Sequence, residues 1–133
     1  MSRTLTIRDE TSFNLNGDSV EYTISLPNEV VSARELIRER VRQEVEHYNS
    51  TQPEYFKGLV QPTDTEKTLN GFRLRNRRRL DWQEQYEKAI QSFHCYGFIL
   101  LVDDRQVEDI DALIEVKPQT TVTFLKLVPL IGG

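Results

Sequence analysis

Cysteine is nearly absent. One thiol, Cys95, stands among 133 residues, which excludes an internal disulfide framework and suits a reducing compartment. Histidine is scarce too. His47 and His94 are far apart, so with Cys95 they offer no metal-ligand spacing, and no metal site is expected. Long apolar runs are missing. No segment approaches the roughly 20 consecutive apolar residues that a membrane helix needs. Met1 to Arg8 lacks the apolar centre of a signal peptide. The expected location is therefore the cytoplasm, with no membrane partner. The net charge of −4 names no partner. The length fits a single domain able to bury a real core.

What is present is clear periodicity at both ends of the chain. Leu5 and Ile7 alternate with Thr4, Thr6 and Arg8, the period of a half-buried strand. Asn14, Asn16, Gly17 and Asp18 form a turn cluster. Val20, Tyr22, Ile24 and Leu26 then alternate with Glu21, Thr23 and Ser25, and Pro27 ends that strand. The pair predicts an antiparallel hairpin. A helix follows, with Ser32 and Glu35 as a capping box and Val31 and Leu36 as a hydrophobic staple. Ile37, Val41, Val45 and Tyr48 form its apolar stripe, while Arg34, Arg38, Glu39, Arg42 and Glu46 are placed on the other side. The helix is expected to end near Asn49.

From Ser50 to Arg79 periodicity disappears, and the expectation is a long irregular connection, functional or mobile. Tyr55, Phe56, Leu59 and Val60 are candidates for fastening it to the body. Asp81 and Glu84 then cap a second helix whose Trp82, Tyr86, Ile90 and Phe93 recur at helical spacing. Gly97 is its expected stop, as a residue tolerant of the left-handed conformation. Phe98 to Val102 predicts a buried strand and Asp103-Asp104 a turn. Ile110, Leu113 and Ile114 suggest a short helical turn. The last strand is expected over Thr121 to Val128, released by Pro129.

The order of hairpin, helix, strand, short turn, strand and diglycine tail resembles the β-grasp fold of ubiquitin and its relatives. The closest likeness is Ile99-Leu100-Leu101-Val102-Asp103-Asp104-Arg105-Gln106-Val107-Glu108-Asp109, with Lys117-Pro118-Gln119-Thr120-Thr121-Val122 leading into the last strand and Gly132-Gly133 closing the chain. The likeness covers roughly residues 3–49 and 97–133. It leaves out an insertion at about 50–96 that carries the second helix. The expected fold class is thus α+β: one ubiquitin-like domain over 1–133, its mixed sheet packed on one helix, with a tail at 129–133.

The resemblance implies that the protein is not an enzyme but a substrate and carrier. An adenylating enzyme would activate the Gly133 carboxyl using ATP and Mg²⁺, pass it to a cysteine as a thioester, and a conjugating enzyme would deliver it to a target protein's lysine as an isopeptide. A deconjugating or processing protease would complete the set of partners. Gly132 and Gly133 suit threading through a narrow channel because neither has a Cβ. Pro129, Leu130 and Ile131 depart from ubiquitin's tail, so a dedicated activating enzyme is expected. A sulfur carrier forming a C-terminal thiocarboxylate is the second reading, and a non-covalent binding module the third.

Several other features compete for a role. Arg73, Arg75, Arg77, Arg78 and Arg79 form a dense basic run beside Phe72. Without a nucleic-acid motif and with an acidic chain, a docking surface for an enzyme partner is preferred over phosphate binding. His94 and Cys95 are neighbours on a helix and point apart, so no catalytic pair is expected and Cys95 is read as a core thiol. Asp103, Asp104, Glu108, Asp109 and Asp111 lack a calcium-loop pattern. Leu101 is the outward leucine of its strand and a second docking candidate, with the inserted helix expected to cover that face.

Overall fold

A computed structural model describes residues 3–11 and 20–127. The chain is α+β, with a mixed sheet and two helices. In order it runs β1 (Arg3–Thr11), β2 (Val20–Leu26), β3 (Val30–Ser32), α1 (Ala33–Thr51), β4 (Thr65–Thr68), β5 (Gly71–Leu74), α2 (Trp82–His94), β6 (Phe98–Val102), β7 (Arg105–Val107), β8 (Leu113–Glu115) and β9 (Thr121–Lys126). The main sheet has the order β2-β1-β9-β6-β7. Its central pair, β1 and β9, is parallel, with Thr6 beside Thr121 and Thr11 beside Lys126. The other pairs are antiparallel. Parallel neighbours cannot be joined by a hairpin, so the first and last strands meet only because helix and crossover lie between them.

Inward residues follow the period of the strands. Leu5, Ile7, Ile24, Leu26, Phe98, Leu100, Val122 and Phe124 are buried, and α1 supplies Leu36, Ile37, Val41, Val45 and Tyr48 to the same core. Ser32 Oγ accepts a bond from the Glu35 amide at 3.1 Å, as the capping pattern predicts. The helix runs two residues past Asn49 and ends on Gln52, whose φ is 42°.

The Ser50–Arg79 region is not irregular throughout. It contains the β4–β5 hairpin, and Phe56 bridges to Phe72 in both directions. Phe56, Leu59 and Val60 are buried as expected, whereas Tyr55 is half-buried. The hairpin escapes a search for apolar periodicity because Thr65-Glu66-Lys67-Thr68 is almost wholly polar. Its pairing comes from backbone bonds to β5.

α2 packs mainly on α1. Asn49 of α1 clamps Leu80 with two bonds of 2.8 and 2.9 Å, and the Arg38 guanidinium lies 5.2 Å from the Trp82 ring centroid. Phe93 meets Phe98 at 6.1 Å between centroids, so α2 stands on the same side of the sheet as α1. The expected covering of Leu101 by the inserted helix is therefore corrected: Leu101 faces the opposite side, where it is half-buried beside Thr123.

Three more expectations change. At the end of α2 the left-handed residue is Tyr96, with φ 58°, while Gly97 donates to the Ser92 carbonyl at 2.8 Å. A Cβ at 97 would sit 2.1 Å from Ser92 Oγ, a contact that rotation of the Ser92 side chain can relieve. Cys95 is exposed, not a core thiol, because it caps the helix beyond its apolar stripe. The short helical turn around Ile110 to Ile114 is instead β8, paired with β3 so that Val31 opposes Ile114. There Ile114 and Val116 are buried and Leu113 is 75% exposed, the alternation of a strand.

Candidate functional site

The tail that the sequence singles out, Pro129, Leu130, Ile131, Gly132 and Gly133, lies outside the described residues. What the structure shows is the ground it leaves from. β9 is central in the sheet, and beyond it Leu127 still donates to the Gly97 carbonyl at 3.1 Å. Lys126, the last residue of β9, donates from Nζ to the Gly58 carbonyl at 2.9 Å. The base of the tail is thus tied on one side to the end of α2 and on the other to the connection after α1.

Behind that base is a polar cluster absent from the sequence reading. Arg40 is 1% exposed. Its Nη1 and Nη2 grip the two carboxylate oxygens of Asp9 at 2.6 and 2.8 Å, and its Nε donates to Glu44 at 3.2 Å. The guanidinium stacks 4.4 Å over the Phe124 ring and 5.6 Å from that of Tyr22. The other Glu44 oxygen accepts the Leu59 amide at 3.1 Å. One arginine on α1 therefore joins β1 and, through Glu44, the connection that holds Lys126.

The electrostatics follow from this packing. Burial presses the Arg40 guanidinium towards neutrality, but Glu44 and Asp9 overcome it, so its proton is held more tightly than usual. Burial raises the Glu44 carboxyl, opposed by the pull of Arg40. Burial and then repulsion from Arg40 lower the Lys126 ammonium. Burial also raises the Tyr22 phenol, against the pull of Arg40.

A signal for this cluster did exist. Arg40 and Glu44 fall within the helical stripe of Ile37, Val41, Val45 and Tyr48, at positions that face the core, and they are spaced i, i+4. Glu39, which the helical spacing places on the side opposite the apolar stripe, is also buried, at 8%. Asp9 gave no signal, because its pairing spans 31 residues.

The cluster opens into a cleft of about 620 Å³, bordered by Tyr22, Gln43 and Lys126 and reaching Thr11 and Val20. These two residues flank 12–19, which lie outside the described residues. Asp9, Arg40, Glu44 and His47 also line the cleft. Among the described residues, no group of three or more His, Cys, Asp or Glu is placed to hold a metal ion. No described helix is long and apolar enough to cross a membrane.

The connection after α1 is packed tightly enough to test. A Cβ at Gly58 would stand 2.1 Å from Cζ of Phe56, whose ring is buried edge-on against Tyr48 at 5.3 Å. Gly58→Ala should therefore lower stability by about 1–3 kcal/mol. In urea titration the midpoint should fall with the slope unchanged. A loss under about 0.5 kcal/mol, the ordinary range for a surface change, would refute the fit.

The expected docking residues divide. Arg73, Arg75, Arg77 and Arg79 are exposed, while Arg78 is half-buried and donates to the Thr63 carbonyl. Arg78 is thus a fastening of the loop, separated from its neighbours by role. Leu101 belongs to a different face, where Ile99 opposes Leu125 and Leu101 opposes Thr123. The structure does not bring the basic run and Leu101 together. No protein-family model, no curated protein and no solved structure matches the chain.

Proposed function

We propose that the chain is a β-grasp, ubiquitin-like modifier, activated at the Gly133 carboxyl and joined to amines of a target protein. The observation that supports this reading most is the order β2-β1-β9-β6-β7 with a parallel centre and α1 across one face. It places the end of the last strand in mid-sheet, and the sequence beyond it closes with Gly132-Gly133. The whole apolar core precedes that segment among the described residues.

In this reading the protein supplies only the carboxylate. The activating enzyme joins it to the α-phosphate of ATP, with Mg²⁺ and loss of pyrophosphate. A cysteine thiolate then displaces AMP, and a lysine amine finally displaces the thiol. Gly133 carries the reacting carbon, and Gly132 keeps the approach clear of side-chain bulk. Pro129, Leu130 and Ile131 are the residues an activating enzyme would read on the way in.

The test is to incubate the labelled protein with an extract of its source and ATP. A modifier yields an adduct that needs ATP and is cleaved by thiols, followed by thiol-resistant conjugates whose mass spectra show Gly133 joined to lysine. Replacement of one terminal oxygen by sulfur, without conjugates, would identify the carrier reading instead. Unchanged protein under both conditions would leave a binding module.

A further inference from the structure

We propose that the segment between α1 and β6 forms a basic, leucine-tipped rim beside the end of β9, which docks an acidic surface on the enzyme that receives Gly133. This rests on the modifier reading above and adds the chemistry of the partner to it.

The rim is defined by position. A groove of about 450 Å³ brings Lys57, Lys67, Leu69 and Phe72 against Lys126 and Leu127. Leu127 is the last described residue before the tail. Leu69, at the tip of the β4–β5 hairpin, is fully exposed at 105%. The hairpin is not free to wander from the end of β9, because Phe56 pairs with Phe72 and the neighbouring Gly58 carbonyl holds Lys126. From Phe72 the exposed arginines 73, 75, 77 and 79 continue the rim, anchored by Arg75 N on the Asp64 carbonyl and by Arg78 on that of Thr63.

Charge indicates what the rim fits. Residues 57–79 hold seven cations against Asp64 and Glu66, a net +5, and the remainder of the chain therefore carries −9. Arg3, Arg8, Arg34, Arg38, Arg40 and Arg42 all meet carboxylates within 4 Å. Among the described residues none of the five arginines from 73 to 79 does so. No described carboxylate lies within 4 Å to relieve their mutual repulsion, and a facing set of carboxylates on a partner would do so.

The opposite end of the sheet carries Asp103 and Asp104 at the β6–β7 turn, next to the start of β9. An acidic partner is thus repelled from that end and drawn to the end from which the tail departs. Such a field orients encounter more than it deepens affinity. The exposed Leu69 adds an apolar contact that phosphate does not reward. The one aromatic of the basic stretch, Phe72, is half-buried and bridged to Phe56, which leaves no platform for stacking bases.

The experiment measures the initial rate of the ATP-dependent, thiol-sensitive adduct in source extract. A variant with Arg73, Arg75, Arg77 and Arg79 changed to Glu should react at least about tenfold more slowly at low salt, and the gap should narrow as salt screens the field. Leu69→Ala should slow the reaction severalfold at every salt concentration. Arg105→Glu, at the other end of the sheet, should react as the parent does. Arg73→Gln with Arg75→Gln gives a graded fall and covers the case in which four reversals unfold the protein. Equal rates for the folded rim variants overturn the docking inference and leave the modifier reading standing. Absence of any ATP-dependent adduct from the parent removes both. Unchanged adduct formation with loss of binding to a labelled single-stranded RNA overturns it in favour of nucleic acid.

Discussion

Deletion of Gly133 is expected to abolish both the ATP-dependent adduct and the lysine conjugates, with a thermal midpoint within about 2 °C of the parent. The two halves of that result have separate causes. Without the last residue, the new terminal carboxyl belongs to Gly132 and sits one residue short of its position in an activating site. Misplacement by such a distance costs orders of magnitude when catalysis depends on alignment, because reacting atoms must meet at about 3 Å. The described body is not expected to share that dependence. Its described core closes with Phe124, and the last described backbone tie is that of Leu127 to Gly97. A small shift in the midpoint corresponds to a few tenths of a kcal/mol in a domain of this size. Conjugates surviving the deletion would refute the role of Gly133, and a large fall in the midpoint would show that the tail is part of the fold.

Arg40→Ala should have the contrary effect, with the chemistry formally untouched and the fold severely weakened. The variant leaves Asp9 and Glu44 facing a void that is lined by Phe124 and Tyr22. Removing one partner of a buried ion pair costs about 3–5 kcal/mol, a large part of the roughly 5–15 kcal/mol that holds a domain together. Asp9 and Glu44 keep 20% and 15% of their side-chain exposure, which places the expected loss nearer the lower figure.

The deficit should also depend on pH. Burial already raises the folded-state Glu44 carboxyl above its ordinary value, and Arg40 is the chief opposing influence. In the variant that opposition is gone and the carboxyl rises further. A folded state that holds the proton more tightly than the unfolded chain is favoured at low pH and loses that advantage as pH climbs through the folded value. The loss relative to the parent should be greater at pH 7.5 than at pH 5 by chemical denaturation. A deficit that grows on acidification would contradict this account. Combining Arg40→Met with Asp9→Asn and Glu44→Gln should restore much of the stability, since no unpaired charge then stays buried.

The wild-type cluster bears on the tail as well as on stability. Arg40 holds Glu44, Glu44 holds the Leu59 amide, and the adjoining Gly58 carbonyl holds Lys126 at the foot of the tail. Lesions in the cluster should therefore loosen the position of the rim relative to Lys126, in addition to weakening the fold.

Local pattern was enough to determine β1, β2, β6, the two helices and their N-caps. Leu5 and Ile7, the alternation from Val20 to Leu26, Ser32 before α1, Asp81 before α2 and Phe98 to Val102 all follow from neighbours along the chain. The turn at Asp103-Asp104 belongs with these, its two φ angles of 49° and 69° being of the kind that short polar residues tolerate in two-residue hairpins. The diglycine and the basic run were equally legible as composition.

Tertiary structure alone decided what depends on distant partners. The parallel meeting of β1 with β9, the Arg40–Asp9 pair and the bond from Lys126 to Gly58 join residues that no local period relates. The β4–β5 hairpin is held by backbone pairing that its polar residues do not announce. α2 chose the flank of α1 and left Leu101 on the other face, because Phe93 and Trp82 found Phe98 and Arg38 on that side. Periodicity records which face of an element is apolar. Which surface covers that face is settled by the shape and charge of the whole folded chain.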